Sequence, residues 1–588
     1  MSRGQRKFAL PEEVPSGPGR VGPVRHAVQQ AERQATQVAE IGTVENRIKI
    51  DNESLRQALE PFLSAYTSIT EKINAVEVAL GSEDGKFWRQ ELGKWTIRMV
   101  PVELLVPKAH EEWRPLVREA ILFVVSRLSA SRLAPKIVEQ MGLPPDTSAE
   151  VRLLRFISKV PGLQKIGQVL ARNRNLHPRL RRALIKLENG ISDVTVEEIR
   201  AILNRELQSQ IETYAIKIRP TILSEASVSA VVGFTWQNPA SGRRERGVFK
   251  VLKPHIASCY AEDMKILGQL AQHLARRHGA AGTHLGGLAE TLTEIRLLLE
   301  REVDFPREQA TLANALHKYR TLRGVRLPRL IPLLSTGTIT ALTFERGKKV
   351  TQVHVLPGKV RVNVAERLAM ALLAVPAFSR EKDSIFHADP HAGNLLYDRK
   401  SNELVILDWA LTERLTEKQR KNVLLLVLMM ILRDASGMSK AIEELCQLRA
   451  TDDGAQAQII RKHVDRLLDE LALTQLPGPI DAMRLLDEIA LEGIRFPAAL
   501  LMFRKASFTL EGVVEDIAGS RVQLDSLTTS HALANWKETV RSLFSLLSAG
   551  DWAALDWSAL TLTSRLFIRA LLRPWDWFER LFPNADPA

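Results

Sequence analysis

The sequence predicts an α+β fold that is mostly helical, with a small sheet-bearing lobe and a larger helical lobe. Apolar residues recur at three- and four-residue spacing over most of the chain, which is typical of amphipathic helices. Strand-like alternation is confined to a few short stretches. The length of 588 residues also predicts several folding units rather than one.

The N-terminal part of the chain is predicted to contain no strands. Residues 1–50 begin with a Gly-, Pro- and Arg-rich stretch without an apolar signal-peptide core, which indicates a mobile basic leader. Helical spacing runs through 51–160, and a second helical segment extends from Val160 to Gly190, where a helix stop is expected. We therefore assign a helical extension to residues 51–218.

Strand signals begin after this extension. The segments 227–236 and 247–253 alternate and are joined by the turn-rich NPASGRRER, which predicts a hairpin. A long helix from about Ala257 to Arg277, further helices and a short strand at STGTITALTFERG follow. From about residue 350 onward the pattern is almost wholly helical, except for two short apolar runs flanking DRKSNE in NLLYDRKSNELVILDW.

Composition narrows the class of protein. Hydrophobic residues make up 45% and charged residues 25%, as in globular proteins, and the net charge of +13 favours anionic partners. Only Cys259 and Cys446 occur, which fits a reducing, cytoplasmic compartment. A nucleic-acid partner is not expected, because the basic patch RLRRALIK at 179–186 is explained by a solvated helix face. The apolar run Val423–Leu432 falls short of the ~20 residues that a bilayer crossing needs, so we interpret it as a buried helix.

The most informative segment is FHADPHAGNLLYDRKSNELVILDWA, residues 386–410. Its Asp389, Asn394 and Asp408 have the order and spacing of the protein-kinase signature H-R-D-x-x-x-x-N followed by D-F-G. Mg²⁺ prefers hard oxygen ligands, which Asn394 and Asp408 offer, and Asp389 would orient the acceptor as a base. The spacing thus predicts phosphoryl transfer with ATP and Mg²⁺ as cofactors.

Two other interpretations of this segment are open. Each residue by itself could be a turn former, a cap or a strand end. His387 and His391, with an Asp between them, could instead belong to a facial-triad iron site. The iron hypothesis leaves the downstream hairpin and Asp408 unexplained.

A nucleotide site also needs a lysine on a strand and a carboxylate on a helix. Lys250 alternates with Phe249 and Val251 in VFKVLKP and would point to the opposite face from them. Lys253, beside a proline at the strand end, is expected to face solvent. We assign Glu308 as the partner of Lys250, the alternative being a solvated glutamate favoured by a helix N-terminus.

These residues carry a resemblance to the UbiB/AarF group of atypical, protein-kinase-like proteins, over roughly residues 160–530. Lys165-Ile-Gly-Gln168 matches the group's K-x-G-Q motif. Glu302-Val-Asp304 matches its E-x-D motif, and Glu308 stands in the following E-A-like position. The motifs occur in the expected order.

The resemblance implies a bilobal protein-kinase-like fold with an N-lobe at 219–347, a C-lobe at 348–540 and a helical extension packed over the active site. Lys165 and Gln168 would approach Glu302 and Asp304 and gate the site. Similar proteins bind ATP with Mg²⁺, behave as ATPases and support ubiquinone or related isoprenoid-lipid metabolism, so a lipid or quinone precursor is an expected partner. The alternative function is a catalytically weak, pseudokinase-like nucleotide-binding scaffold or regulator.

The sequence departs from the group's pattern in two places. The Ala-rich loop that replaces the kinase Gly-rich loop corresponds here to Ala226, Ser227, Val228 and Ser229, and it follows Glu225, where a small residue is expected. A carboxylate there would repel phosphates unless it binds metal or points away. The second departure is Ala410 in the third position of the D-F-G equivalent, which narrows the backbone conformations open to switching.

The tail at 541–588 is rich in aromatic and basic residues. Arg565, Arg569 and Arg573 argue against a membrane-spanning helix. The composition suits an interfacial helix on an anionic membrane, peripheral at its inner face, or alternatively aromatic residues that dock on the C-lobe.

Overall fold

The computed structural model describes residues 66–82, 114–165 apart from 145, 194–278, 286–446, 453–471, 477–519 and 545–562. It also describes single positions and short stretches between 85 and 111 and between 522 and 541. The predicted leader at 1–50, the basic patch at 179–186, the end of the helical segment at Gly190 and the arginines of the tail lie outside the described residues.

The fold is α+β and mostly helical, as predicted. The chain divides into two compact units, one made of Met1–Phe234 and Lys250–Val303 and the other of Thr235–Phe249 and Asp304–Ala588. The domain boundaries inferred from the sequence stay a prediction.

The first unit is built mainly from helices around one apolar core. Leu128, Leu133, Leu270 and Leu299 are among the buried residues of this core. The helices are α1 (Ile69–Gly81), α2 (Arg114–Arg127), α3 (Ala130–Gly142), α4 (Ala149–Ile157), α5 (Val196–Thr213), α6 (Pro254–His278) and α7 (Gly286–Val303). Their apolar faces supply the main stabilisation of the unit, because burial removes that surface from water.

A four-stranded sheet has the order β1-β2-β3-β5. Its strands are β1 (Lys217–Glu225), β2 (Ser229–Gln237), β3 (Arg244–Leu252) and β5 (Ile339–Thr343). The predicted β2–β3 hairpin is confirmed, and Asn238 N donates to Arg243 O across its turn at 2.9 Å. Strand β1 was not predicted, because most of its residues are exposed and it contains Pro220, which is tolerated at the edge of a sheet.

The second unit contains most of the remaining helices. Helix α9 continues through a π-helical turn at Met370–Ala374 into Val375–Ala377, and residues 549–562 are also helical. The helices are α8 (Phe305–Tyr319), α9 (Gly358–Ala369), α10 (Glu417–Leu432), α11 (Ala435–Leu445), α12 (Asp453–Glu470), α13 (Pro479–Leu491) and α14 (Ala498–Ala518). These helices supply the apolar surroundings of the short strands described next.

Helix α10 contains the longest apolar run of the sequence, and the buried-helix prediction is confirmed. Val423, Leu426 and Met430 are buried within it. The helix begins at Thr416, which forms a capping box with Gln419. Over the part of the chain that the structure describes, no helix combines the length and the apolar content that a membrane crossing requires.

Short strands complete the second unit. A second sheet has the order β4-β9-β8-β6, and β7 pairs with β10 in a separate antiparallel ladder. The strands are β4 (Val325–Arg326), β6 (Lys348–Lys349), β7 (Asp383–His387), β8 (Leu395–Asp398), β9 (Glu403–Ile406) and β10 (Thr412–Thr416). The β8–β9 hairpin was predicted, but the expectation of an otherwise helical chain beyond residue 350 is wrong, because β7 and β10 are held by partners distant in sequence.

The buried Asp525 carboxylate caps the first backbone N–H groups of α13. Asp525 Oδ1 accepts from Ile480 N at 2.8 Å and Oδ2 accepts from Asp481 N at 3.2 Å. Gly478 permits this approach, because a Cβ atom there would lie 2.5 Å from the Asp525 carboxyl group. Burial raises the pKa of Asp525 to about 7, and the Asp481 charge acts in the same direction.

We expect Asp525 to make the free energy of unfolding fall as the pH rises from about 4 to 7. The folded chain retains a proton that the unfolded chain releases near pH 3.8, so ionisation costs stability, at up to roughly 1.4 kcal/mol per pH unit. Asp525→Asn should abolish this slope in urea denaturation at pH 5, 6 and 7. The matched control is Asp469→Asn, at an exposed carboxylate of α12. Equal pH slopes for the wild type and Asp525→Asn would contradict the expectation.

Candidate active site

The segment with the kinase-like spacing folds back on itself. Strand β7 leads into the loop that carries Asp389 and Asn394, the β8–β9 hairpin follows, and β10 returns to pair with β7, with Thr412 opposite His387. Leu407 N donates to Asn394 O at 2.8 Å, so the residue before Asp408 is bonded directly to Asn394. The loop and the Asp408 segment are therefore adjacent.

His387 joins the two parts of this segment. Its Nε2 donates to Leu407 O at 3.0 Å, and its Nδ1 accepts from Asp389 N at 3.2 Å. Burial lowers the pKa of His387, which favours the neutral ring with one donor and one acceptor. The imidazole thus fixes the backbone at both Asp389 and Leu407.

The same contacts argue against the facial-triad iron hypothesis. Both ring nitrogens of His387 are hydrogen bonded within the protein, and His391 Nδ1 accepts from Gly393 N at 3.0 Å as the cap of a short 3₁₀ turn. Among the described residues, no cluster of three or more His, Cys, Asp and Glu side chains is placed to hold a metal ion. The two histidines shape the loop.

The three oxygen-bearing side chains differ in exposure. Asp408 is exposed, whereas Asp389 and Asn394 are half-buried. Asn394 Nδ2 donates to Asp389 O at 3.3 Å, so the amide oxygen is the end that a cation would use. Asp408 has a φ of 50°, a left-handed conformation that costs about 1 kcal/mol or more outside glycine and is characteristic of functional sites.

Trp409 anchors the residue next to Asp408. Its side chain is 1% exposed and makes edge-to-face contacts with Tyr319 at 5.5 Å and with His387 at 5.2 Å between ring centroids. The Tyr319 hydroxyl donates to Ala371 O at 2.7 Å, which holds that ring in place. Asp408 therefore projects from a backbone that is secured by a large buried side chain.

Lys250 lies in β3 and Glu308 in the first turn of α8. Lys250 is half-buried and alternates with the buried Phe249 and Val251, as its strand position predicted. Glu308 is buried, so its interpretation as a solvated helix-start glutamate is wrong. The two residues belong to different units, and their pairing stays a prediction.

Helix α8 begins at Asp304, whose side chain accepts from Arg307 N at 3.1 Å. Asp304 is thus the N-cap of the helix that carries Glu308, and it is exposed. A capping aspartate of this kind stabilises a helix by about 1 kcal/mol. Its predicted gating role stays a prediction.

The Ala-rich loop lies between β1 and β2. Ala226 N donates to Ser229 O at 2.8 Å across the loop, and Val228 O accepts from Lys253 N at 2.9 Å. Ser227 is buried and its Oγ donates to Glu302 Oε2 at 2.9 Å. The loop is therefore fixed at several points, and its role in nucleotide binding stays a prediction.

The prediction for Lys253 is wrong. It was expected to face solvent, but its side chain is 1% exposed and its Nζ lies 3.1 Å from Glu225 Oε2, in a carboxylate side chain that is 8% exposed. The pair accounts for the glutamate at a position where a small residue was expected, because a buried charge requires a partner. Sequence reasoning missed Lys253 because the following Pro254 indicated an exposed strand end.

Lys165 forms an ion pair with Glu302, in which Nζ donates to Oε1. Both side chains are mostly buried, which strengthens the interaction. Glu302 also receives the Ser227 hydrogen bond, so it joins the K-x-G-Q segment to the Ala-rich loop. Gln168 lies outside the described residues, and the gating role of both motif residues stays a prediction.

This arrangement is typical of the catalytic segment of a protein-kinase-like fold. Such a segment has a loop with Asp and Asn, then a β-hairpin, and then an aspartate that can bind a metal ion. Residues 186–442 match the sequence model of the ABC1 atypical kinase-like domain. This part of the chain is therefore similar to that domain, and the resemblance to the UbiB/AarF group is confirmed.

Two of the following three curated relatives carry kinase names. An uncharacterized protein of Synechocystis is 24% identical over 368 residues, which cover 61% of this chain and 60% of its own length. The chloroplastic Protein ACTIVITY OF BC1 COMPLEX KINASE 7 of Arabidopsis thaliana is 24% identical and covers 60% of this chain and 50% of its own length. Probable protein kinase UbiB of Xanthomonas campestris is 28% identical over 268 residues, 44% of this chain and 47% of its own length.

The chain spans about half to three fifths of the length of these relatives. A solved Mycobacterium tuberculosis protein in complex with erythromycin overlays with a TM-score of 0.37 and 15% identity, covering 61% of this chain and 92% of its own. That overlay is too loose for a comparison of individual residues.

Proposed function

We propose that the protein is an atypical kinase or ATPase that binds ATP with Mg²⁺. The observation that carries the proposal is the direct bonding of the two halves of the catalytic segment. Leu407 N donates to Asn394 O, and His387 bridges Asp389 N and Leu407 O. This bonding supports the placement of two potential metal ligands and one potential base side by side on a preorganised backbone.

The donor set fits a magnesium–nucleotide complex. Asn394 and Asp408 offer one amide oxygen and one carboxylate, and Mg²⁺ bound to phosphates usually takes only one or two protein carboxylates and keeps several waters. When bound, the cation would neutralise charge on the phosphates. Asp389 would then orient the hydroxyl or water that attacks, and Lys250, oriented by Glu308, would contact the α- and β-phosphates.

The loop that precedes β2 is compatible with this assignment. The Glu225 carboxylate is neutralised by Lys253, so the expected repulsion of phosphates is reduced. The loop residues Ala226, Ser227, Val228 and Ser229 would cover the nucleotide. Lys165 and Gln168, with Glu302 and Asp304, would gate access to it.

The acceptor is proposed to be connected with ubiquinone or isoprenoid-lipid metabolism. The support is the ABC1-type domain together with relatives named UbiB. Peripheral contact with an anionic membrane through the tail at 541–588 belongs to the same proposal and agrees with the net charge of +13. A lipid or quinone precursor would be the partner.

A thermal-shift titration of the full chain with ATP and Mg²⁺ tests the proposal. A ligand that binds only the folded form at about 100 times its Kd adds about 2.7 kcal/mol to stability, so the melting temperature should rise. ATP with EDTA and Mg²⁺ alone are the controls, and both should give smaller shifts. Phosphate release is measured on the same samples.

The outcomes separate the two candidate functions. A shift with phosphate release supports the kinase or ATPase. A shift without release, in the wild type and in Asp408→Asn alike, supports the scaffold that uses nucleotide to change shape. The absence of any shift and of any release would overturn the nucleotide site.

A further inference from the structure

A buried aspartate of α6 holds the segment that leads to Lys165. Asp263 is 3% exposed, and its Oδ1 accepts from Arg132 Nη1 at 2.5 Å. Its Oδ2 accepts from the backbone N of Gly162 at 2.8 Å. The Asp263 carboxylate on α6 therefore binds the Arg132 side chain on α3 and the backbone of Gly162, three residues before the K-x-G-Q motif.

Gly162 is suited to this contact because it has no side chain. A Cβ atom at this position would lie 3.3 Å from Leu267 Cδ1 and 3.4 Å from Asp263 Oδ2. The Leu267 contact is tight, so that either the Leu267 side chain or the backbone of residue 162 would have to shift by a few tenths of an ångström, whereas the Asp263 contact is an ordinary van der Waals contact. Glycine therefore allows this close approach to α6 without the tight contact to Leu267 that alanine would make.

Lys165 follows Gly162 by one helical turn. Residues 161–165 are helical, and Gln164 N donates to Val160 O at 2.9 Å. Positions i and i+3 lie on the same side of a helix, so Gly162 and Lys165 share a side. The turn is thus anchored to Asp263 at its start and to Glu302 at its end.

The charges around Asp263 favour a rigid anchor. Burial raises the pKa of Asp263, whereas Arg132 and the Gly162 amide act against that rise by stabilising the carboxylate. The neighbouring Glu262 accepts from Ser129 N at 2.5 Å and from Ser129 Oγ at 3.0 Å, at the start of α3. Replacing Arg132 would remove a charged partner from the buried Asp263 carboxylate, which is costly, whereas replacing Asp263 would leave Arg132 still 3.3 Å from Glu262 Oε2.

We propose that Asp263 is a positioning residue that sets the place of Lys165 against Glu302, and thereby regulates the nucleotide site. It acts through the backbone of Gly162 and touches no substrate. The regulatory part rests on the proposed function, whereas the anchoring part does not. Arg132 supports Asp263 by donating to the carboxylate oxygen that does not bind Gly162.

The anchoring is tested by hydrogen–deuterium exchange on the full chain without nucleotide. Asp263→Asn removes the charge of the acceptor and should speed exchange of the amides of Val160 and residues 162–165 by about tenfold or more, because a charge-assisted hydrogen bond no longer holds the start of the turn. Gly162→Ala retains the Arg132–Asp263 pair and should also speed exchange. The β8–β9 hairpin in the other unit serves as the internal reference and should not change.

Glu119→Gln is the matched control. Glu119 Oε1 lies 2.7 Å from His273 Nε2 and 3.0 Å from Arg277 Nη1, so it also joins the helical extension to α6 but does not touch Gly162. It should leave exchange at 160–165 unchanged. Unchanged exchange in both Asp263→Asn and Gly162→Ala would overturn the proposal.

The regulatory role is tested by combining Asp263→Asn with Lys165→Met and measuring ATP hydrolysis. If Asp263 acts through Lys165, each single variant changes the rate in the same direction and the double variant equals Lys165→Met. Equal effects of Asp263→Asn in both backgrounds would show a merely structural role and overturn the regulation. A wild type that neither binds nor hydrolyses ATP would refute the proposed function, and the exchange experiment would still decide the anchoring.

Discussion

Asp408→Asn is expected to lower the rate of ATP hydrolysis by about 10²-fold or more while leaving the fold intact. The carboxylate would supply the negative ligand to Mg²⁺, and a metal ion contributes several kcal/mol to the stabilisation of charge in phosphoryl transfer. Asparagine tolerates the left-handed conformation at a φ of 50°, so the backbone should be preserved. Phosphate release and near-ultraviolet circular dichroism measure the two parts of this prediction.

Asn402→Asp is the matched control for that variant. Asn402 also has a positive φ, 55°, and lies in the turn of the β8–β9 hairpin. Its Oδ1 accepts from the Tyr397 hydroxyl at 2.9 Å, which a carboxylate oxygen can also do. The control should retain hydrolysis within a factor of about two, since it changes no proposed ligand. Equal activities of Asp408→Asn and the wild type would rule out Asp408 as a metal ligand.

Trp409→Ala is expected to reduce the free energy of unfolding by about 3–5 kcal/mol, because it removes a large buried ring and leaves a cavity. The ring is 1% exposed and is contacted by Tyr319 and His387. Urea denaturation followed by circular dichroism measures the loss. Hydrolysis should fall as well, since Asp408 loses the neighbour that fixes its backbone.

Trp557→Ala is the control for the loss of an indole ring. Trp557 is 71% exposed on the helix at 549–562, so its removal should change stability by no more than about 0.5 kcal/mol. Trp409→Phe should give an intermediate loss, because a smaller ring retains part of the edge-to-face packing. A loss in Trp409→Ala no larger than in Trp557→Ala would contradict the anchoring role of Trp409.

The candidate catalytic segment could be predicted because the residues that define it are close together in the sequence. Asp389, Asn394 and Asp408 lie within one short stretch, and the alternating runs around DRKSNE predict the hairpin between them. The strand position of Lys250 followed from alternation with Phe249 and Val251. In each of these cases the deciding neighbours are adjacent in the chain.

The contacts that hold this segment could not be predicted, because they join residues far apart in sequence. Strands β7 and β10 were missed since each pairs with a strand that lies more than twenty residues away in the chain, with Asp383 opposite Thr416. Lys253 was misplaced because its partner, Glu225, belongs to a strand whose exposed residues gave no alternation. The local sequence indicates which face of a strand a residue occupies. It does not indicate whether a charged residue is buried, because burial requires an oppositely charged partner that can lie far away in the chain.

The pairing of β10 with β7 also limits how far the Asp408 segment can move. Rotating Asp408 outward would break the bond from Leu407 N to Asn394 O, the bond from His387 to Leu407 O and the bond from Ala388 N to Leu411 O, and it would expose Trp409 to water. Such a movement would be costly, because several interactions would be lost together. Regulation of the proposed activity is therefore expected to act outside this segment, as the positioning of Lys165 by Asp263 would do.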